Sequence, residues 1–289
     1  MAVAGATEGR GCPDFSALPE GCIASAVSFT SPPDACRLAS VSSVFRSACD
    51  SDAVWASFLP PEYRSMVHRS APSLKELYFS LCDDPVLAGD GKMSFSLDRH
   101  SGKKCIMLSA RALSIIWGDT PIYWSWTCMP NSRFAEVAEL IDVCWLEIKG
   151  MISSCMLSPG TRYAAYLVFK FARWSYGFEF QSVEVGAGFA GDEAGKRERF
   201  VYLSGESNTG RRRTRRRLRS MPPTYAPAEG NGNYPKERPD GWSEIELGEF
   251  LTKEGEDGKV QMSVMETKGG KWKKGLIVEG IEIRPKAGI

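Results

Sequence analysis

The apolar residues of this chain change their period once, and that change limits the fold more than any other feature. Up to Leu81 they recur at helical spacing, and after about Lys92 they alternate as they do in strands. A chain with both periods is neither a helical bundle nor a lone sheet. It must hold a helical unit followed by a β-rich one. At 289 residues it has room for both, because compact units usually run to about 100–200 residues.

The helical part has its own punctuation. Residues 1–12 are small, polar and glycine-bearing and read as a disordered tail. Leu18-Pro19 opens a short helix in which Ile23 and Val27, four residues apart, share a face. Ser31-Pro32-Pro33-Asp34 is a helix start: serine caps, proline suits the first turn, and Asp34 complements the positive end of the dipole. Leu38, Val41 and Phe45 continue at helical spacing. Ser51-Asp52 begins another helix with Val54, Trp55 and Phe58, which Pro60-Pro61 stops. Ser73-Leu74-Lys75-Glu76 is a capping box, and Leu77, Tyr78 and Leu81 extend the face of Leu74 until Asp83-Asp84-Pro85. The spacing predicts a helical module over 13–60, a helical linker over 61–92 and a β-domain over 93–285.

In the β part, Cys144, Leu146 and Ile148 alternate with Trp145, Glu147 and Lys149. Tyr163–Phe171 is rich in strand formers, Ile245 and Leu247 alternate with glutamates, and Val260, Met262 and Val264 repeat the pattern before a last run, Leu276–Ile283. Short strands split by glycine-rich turns predict a β-sandwich of jelly-roll type. Residues from about 187 to 240 depart from this, being rich in glycine, proline and charge, and read as a long inserted loop.

Several classes are excluded. The longest apolar run, Ala164–Phe169, is far short of the roughly 20 residues a membrane helix needs. The N-terminus lacks the basic start and apolar stretch of a secretory signal, so the expected location is cytosolic or nuclear. Nine scattered cysteines read as reduced thiols, and with His68 and His100 as the only histidines no zinc site is expected. No cofactor and no membrane partner are expected. No glycine-rich phosphate loop, Gly-x-Ser-x-Gly elbow or Cys–His signature is evident. Glu244 and Glu246 would share a strand face at a separation that could approach the roughly 6.5–9.5 Å of an inverting glycosidase pair. A solvated strand face explains them better, and no enzyme is expected.

The helical motif, Leu18-Pro19, Ile23, Pro33-Asp34, Arg37, Val41-Ser42, Phe45-Arg46, Val54-Trp55 and Phe58-Leu59, resembles the F-box, which binds the Skp1 adaptor of SCF ubiquitin ligases. The resemblance implies a Skp1-binding set of Leu18, Pro19, Ile23, Val27, Asp34, Arg37, Val41, Phe45, Val54, Trp55 and Phe58. The bottom-up reading agrees with it, since so short a segment has more apolar residues than its own packing needs.

The β part carries Ser109–Trp126 with its Gly-Asp-Thr-Pro turn, Arg133–Leu140, Val143–Gly150, Gly241–Phe250 and Gly275–Pro285. Together these resemble the phloem protein 2 family and the related Nictaba-type lectins, roughly from Met93 to Pro285. With the F-box in front, the chain is similar to plant F-box proteins of the PP2-B type. The resemblance implies a lectin-like β-sandwich that binds N-acetylglucosamine-type glycans through two tryptophans seven apart, here Trp117 and Trp124, and an acidic residue, here Glu266. An indole offers a rigid apolar face to the C–H face of a sugar ring, and a carboxylate accepts from its hydroxyls. The family's other acidic position falls near Lys259, a cation here. Trp145 reads as core, and Trp126 as sharing a strand face with Trp124.

The resemblance therefore implies a Skp1-like adaptor and, through it, a cullin as partners, with a glycan or glycoprotein as the target. The alternative is a lectin that recruits no ligase. Between them the chain has one further motif, Arg211, Arg212, Arg213, Arg215, Arg216 and Arg217, which reads as an exposed run and a nuclear-import candidate. RNA binding through that run is the weakest reading, and nucleic acid is not an expected partner.

Overall fold

The computed structural model describes residues 18–66, 71–179, 181–191, 199–204, 233–255 and 257–286. The expected tail at 1–12 and the arginine run lie outside the described residues. The chain divides into two compact units: one runs to Asp84 and includes Arg99–Gly102, and the other takes Pro85–Asp98 and the chain from Lys103 onward.

The first unit holds helices α1 (Glu20–Val27), α2 (Pro32–Leu38), α3 (Ser43–Asp50), α4 (Asp52–Phe58), α5 (Tyr63–Met66) and α6 (Leu74–Asp83). Four serines start four of them: the hydroxyls of Ser31, Ser42, Ser51 and Ser73 accept from the backbone N–H of Asp34, Phe45, Ala53 and Glu76. The spacing of Leu38, Val41 and Phe45 predicts one continuous helix, but α2 ends at Leu38 and α3 begins at Ser43. The reason is Ser42, which is extended (φ −157°, ψ 167°) and takes the Phe45 N–H at 3.2 Å. A serine that bonds the backbone beyond it competes with continuation of the helix. Trp55 is the centre of the core. Phe58, Tyr78 and Phe79 lie 5.6, 5.2 and 5.3 Å from its ring, and its indole N–H donates to Cys49 O at 2.8 Å. Helix α6 thus completes this core.

The second unit is antiparallel β throughout its described pairings. Its larger sheet runs β1 (Val86–Ala88), β2 (Met93–Leu97), β3 (Lys104–Ser109), β14 (Lys274–Pro285), β8 (Arg162–Tyr176), β12 (Ser243–Leu251), β11 (Lys236–Glu237), with β5 (Trp124–Thr127) paired to β6 (Val137–Leu140) and β6 to β14. The smaller sheet runs β10 (Arg199–Tyr202), β9 (Ser182–Phe189), β13 (Lys259–Glu266), β7 (Leu146–Ser153), β4 (Ser114–Ile115). Residues 86–88, expected in a helical linker, are a strand because they pair with β2. The stretch expected as a loop at about 187–240 also contains strand: β9 runs to Phe189, and β10 pairs with it and buries Val201.

The alternation read from the sequence sets the core. Val260, Met262 and Val264 on β13 and Leu146, Ile148 and Ile152 on β7 all turn inward. The two sheets meet closely at Gly150, where an added Cβ would stand 3.3 Å from Ile281. Strand β14 is buried from Gly275 to Ile283 because the larger sheet is covered on both faces. Met107, Phe134, Val137, Val168, Trp242 and Ile277 form a separate apolar cluster. No described helix is long and apolar enough to cross a membrane.

Candidate functional site

In the helical unit the predicted docking residues divide by burial. Leu18, Pro19, Arg37 and Val41 are exposed, and Asp34, Phe45 and Phe58 are half-buried. Ile23, Val27, Val54 and Trp55 are buried and pack in the unit's own core. They point inward because the faces of α1 and α4 that carry them are the ones the unit's own core takes. Sequence reasoning missed Phe29, which is 88% exposed, and Val44. The available signal was an aromatic residue stranded between α1 and the Ser31 cap, out of phase with both helices. Asp34 bonds Ser31 and Arg37, and these two bonds hold its carboxyl below the usual carboxylate range.

In the β unit Trp117 stands at φ +57°, a left-handed conformation that bulky residues rarely adopt. It is 44% exposed, and its ring lies 5.2 Å from that of Tyr123. The turn beneath it is tied by Gly118 N–H to Ile115 O at 3.0 Å and Thr120 N–H to Trp117 O at 2.8 Å. Two indoles brace this turn: Trp124 donates to Ile116 O at 3.2 Å and Trp126 to Gly118 O at 2.9 Å. The Arg111 guanidinium covers Trp126 at 3.6 Å.

The two tryptophans expected to stack on a sugar differ in exposure. Trp124 is 2% exposed and supports the turn that presents Trp117, while Trp117 alone offers an open ring. Residue type cannot separate these roles, since spacing by seven fixes neither depth nor direction once a tight turn intervenes.

Glu266, expected as the acidic sugar contact, lies inside the β unit. Its carboxylate is buried, accepts from Gln181 Nε2 at 3.0 Å and Gly269 N–H at 2.8 Å, and pairs with the fully buried ammonium of Lys273. That ammonium donates to Cys144 O at 3.2 Å and Lys271 O at 2.7 Å. Most of the acceptor capacity of Glu266 is thus spent inside the protein, fastening the turn before β14 to the chain entering β7. Lys259 is exposed at the start of β13.

Trp145, read as core, is exposed instead, with its indole N–H on Glu147 at 3.0 Å. Leu146 takes the inward position, and β4 covers β7 only at Ile148 and Lys149. Lys149, then Trp145, hold the Glu147 carboxyl below its usual range. Trp174, Tyr176 and Trp272 are further exposed aromatic residues that periodicity missed.

The glutamates weighed as a catalytic pair are engaged. Glu244 binds Arg284 through both oxygens, at 2.5 and 2.9 Å, and Arg238 at 3.1 Å. Glu246 pairs with Arg199 at 2.8 Å and Lys286 at 3.0 Å. Burial alone would raise the Glu246 carboxyl, but Lys286 and Arg199 outweigh it and hold it low, the opposite of what a general acid requires. Among the described residues no His, Cys, Asp and Glu cluster is arranged to hold a metal.

The helical unit keeps Leu18, Phe29, Val41 and Val44 exposed, and the antiparallel β unit keeps Trp117, Trp145, Trp174 and Trp272 exposed. Residues 15–57 match the F-box domain family, and residues 103–285 match the Phloem protein 2 family. In Arabidopsis thaliana the chain is 51% identical to F-box protein At2g02240 over 95% of this chain and 81% of that protein. It is 47% identical to F-box protein PP2-B1, covering 94% of this chain and 90% of the relative, and 47% identical to F-box protein PP2-B10, covering 94% of each. The chain belongs to the plant F-box proteins of the PP2-B type.

Proposed function

We propose that the chain is a substrate-recognition adaptor of an SCF-type ubiquitin ligase. The F-box docks on a Skp1-like adaptor and through it a cullin, and the phloem protein 2 domain captures a glycan or glycoprotein for ubiquitination. The observation that carries this reading is that two families meet in one chain, and each leaves open apolar side chains its own core does not use. Leu18, Phe29, Val41 and Val44 do so in the F-box, and Trp117 in the β-domain. Large apolar side chains kept in water are favoured where a partner covers them. The role is one of binding without catalysis, and it belongs in the cytosol or nucleus.

Co-expression with a plant Skp1-like adaptor tests the first half. The parent chain should co-purify with it, and Leu18→Ala/Pro19→Ala and Phe29→Ser/Val41→Ser should each lose it. Retention by both variants sinks the docking claim. For the second half, a glycan array should show N-acetylglucosamine-type ligands bound by the parent and not by Trp117→Ala. Exposed Trp117 would serve equally well in a lectin that recruits no ligase, and the co-purification distinguishes the two.

A further inference from the structure

Strand β8 stays paired with β14 to its last residue, Tyr176, but the ladder is interrupted on the way. Phe171 pairs with Leu276 and Tyr176 with Lys274, so four residues, Ala172–Ser175, face the single residue Gly275. Such a bulge expels its extra residues from the sheet and re-aims their side chains. Here it carries Arg173 and Trp174 into solvent, with Trp174 75% exposed. Gly275, at φ +80°, permits the close approach, since an added Cβ would stand 2.9 Å from Ser175 Cα.

Beside the bulge lies the turn that Glu266 and Lys273 fasten. Because Lys273 is drawn inside, its neighbours Lys271, Trp272 and Lys274 are left outside, and Trp272 is 52% exposed. The Arg173 guanidinium stands 5.4 Å from the Trp174 ring. Arg173, Lys271 and Lys274 form no ion pair among the described residues.

This corner continues into the Trp117 turn. Tyr176 donates to Asp142 at 2.9 Å, and the preceding residue, Ile141, bonds Tyr123 O at 2.9 Å. Tyr123 in turn packs against Trp117. These contacts link the corner that carries the aromatic faces and the unpaired cations to the turn that carries Trp117.

We propose that this corner extends that site and selects an acidic oligosaccharide, with a neutral sugar at Trp117 and carboxylate- or sulfate-bearing sugars over Tyr176, Trp272 and Trp174. The inference rests on the lectin reading of Trp117. Indoles take the C–H faces of sugar rings, and Arg173, Lys271 and Lys274 take the anionic substituents. The carboxylates of Asp142 and Glu179 lie among them; they accept from sugar hydroxyls and would repel a chain carrying a phosphate at every unit. A sparsely charged glycan fits this mixture better than a nucleic acid does.

Calorimetry on the full chain can compare a chitin oligosaccharide with a hyaluronan oligosaccharide of equal length, which alternates N-acetylglucosamine with glucuronate. At low salt the acidic chain should bind about tenfold tighter, as expected of a few exposed ion pairs. The gap should shrink as salt is raised to about 0.5 M. Arg173→Gln/Lys271→Gln/Lys274→Gln should close the gap to within about twofold at low salt and keep the parent's affinity for the neutral chain, which also reports that the variant is folded. Equal binding of the two sugars by the parent, or a preference that survives in the variant, overturns the inference and leaves the lectin reading standing. Binding of neither sugar overturns both. Tighter binding of oligouridylate through the same three cations overturns it in favour of nucleic acid.

Discussion

Trp117 shows how much one backbone angle adds to a residue type. A left-handed tryptophan carries roughly 1–2 kcal/mol of strain, which persists where the surroundings over-determine it. Trp124 and Trp126 supply that constraint from below. Trp117→Gly should therefore keep unfolding stability within about 1 kcal/mol of the parent, because relief of strain offsets lost packing, while sugar binding disappears in calorimetry. Trp124→Phe keeps an aromatic ring but loses the pyrrole half of the buried indole and its bond to Ile116 O; it should cost about 2–3 kcal/mol in denaturant titration and weaken sugar binding severalfold. The Glu266–Lys273 pair gives a sharper test. Glu266→Gln leaves a buried ammonium uncompensated and should cost about 3–5 kcal/mol, whereas Glu266→Gln/Lys273→Met should recover part of that loss. A double variant no more stable than the single one would show that the pair has no such coupling. The residues were nameable in the sequence, but their depth was not: Trp117 and Trp124 share a residue type and differ in what covers them.

Elements were legible wherever a local signal was complete. The caps Ser31, Ser51 and Ser73 were read with their helices, and the alternations on β7, β12 and β13 gave strands with the expected inward faces. Helical spacing from Leu38 to Phe45 misled, because a period cannot register a serine that ends one helix and starts the next. That break leaves Val41 exposed in the joint between α2 and α3. Ser42→Ala should destabilise the helical unit by about 1 kcal/mol, seen as a lower melting midpoint, and should weaken adaptor co-purification. The register between β8 and β14 was likewise invisible: nothing local distinguishes Ala172–Ser175 from strand, and only pairing with Gly275 turns them into a bulge.

At the scale of the molecule, charge buried in the β unit links stability to pH. Burial would raise the Glu282 carboxyl, but Arg238, then Arg133 and Arg284, more than offset it and hold it below its ordinary value. A carboxyl lowered in the folded state contributes stability that is present above its unfolded pKa of about 4.3 and is lost as pH falls through the folded value. Glu279 runs the other way, because burial raises it, so its contribution is full below about pH 4.3 and is lost as pH rises through the raised value. Urea midpoints of the full chain should accordingly fall on acidification below about pH 4.5, less steeply in Glu282→Gln, and Glu279→Gln should remove a loss that the parent suffers between that pH and neutrality. A parent profile flat across the acid limb would contradict the assignment for Glu282. What the sequence determined by itself was the succession of a helical module and a β-sandwich, their family, and the residue types on offer for binding, because period, caps and motif order are local and survive in one dimension. What only the tertiary structure decided was which of those residues face water. Glu266 and Trp124 went inside and Trp145, Trp174 and Trp272 stayed out, because exposure depends on which distant strand lies opposite, and no local pattern records that.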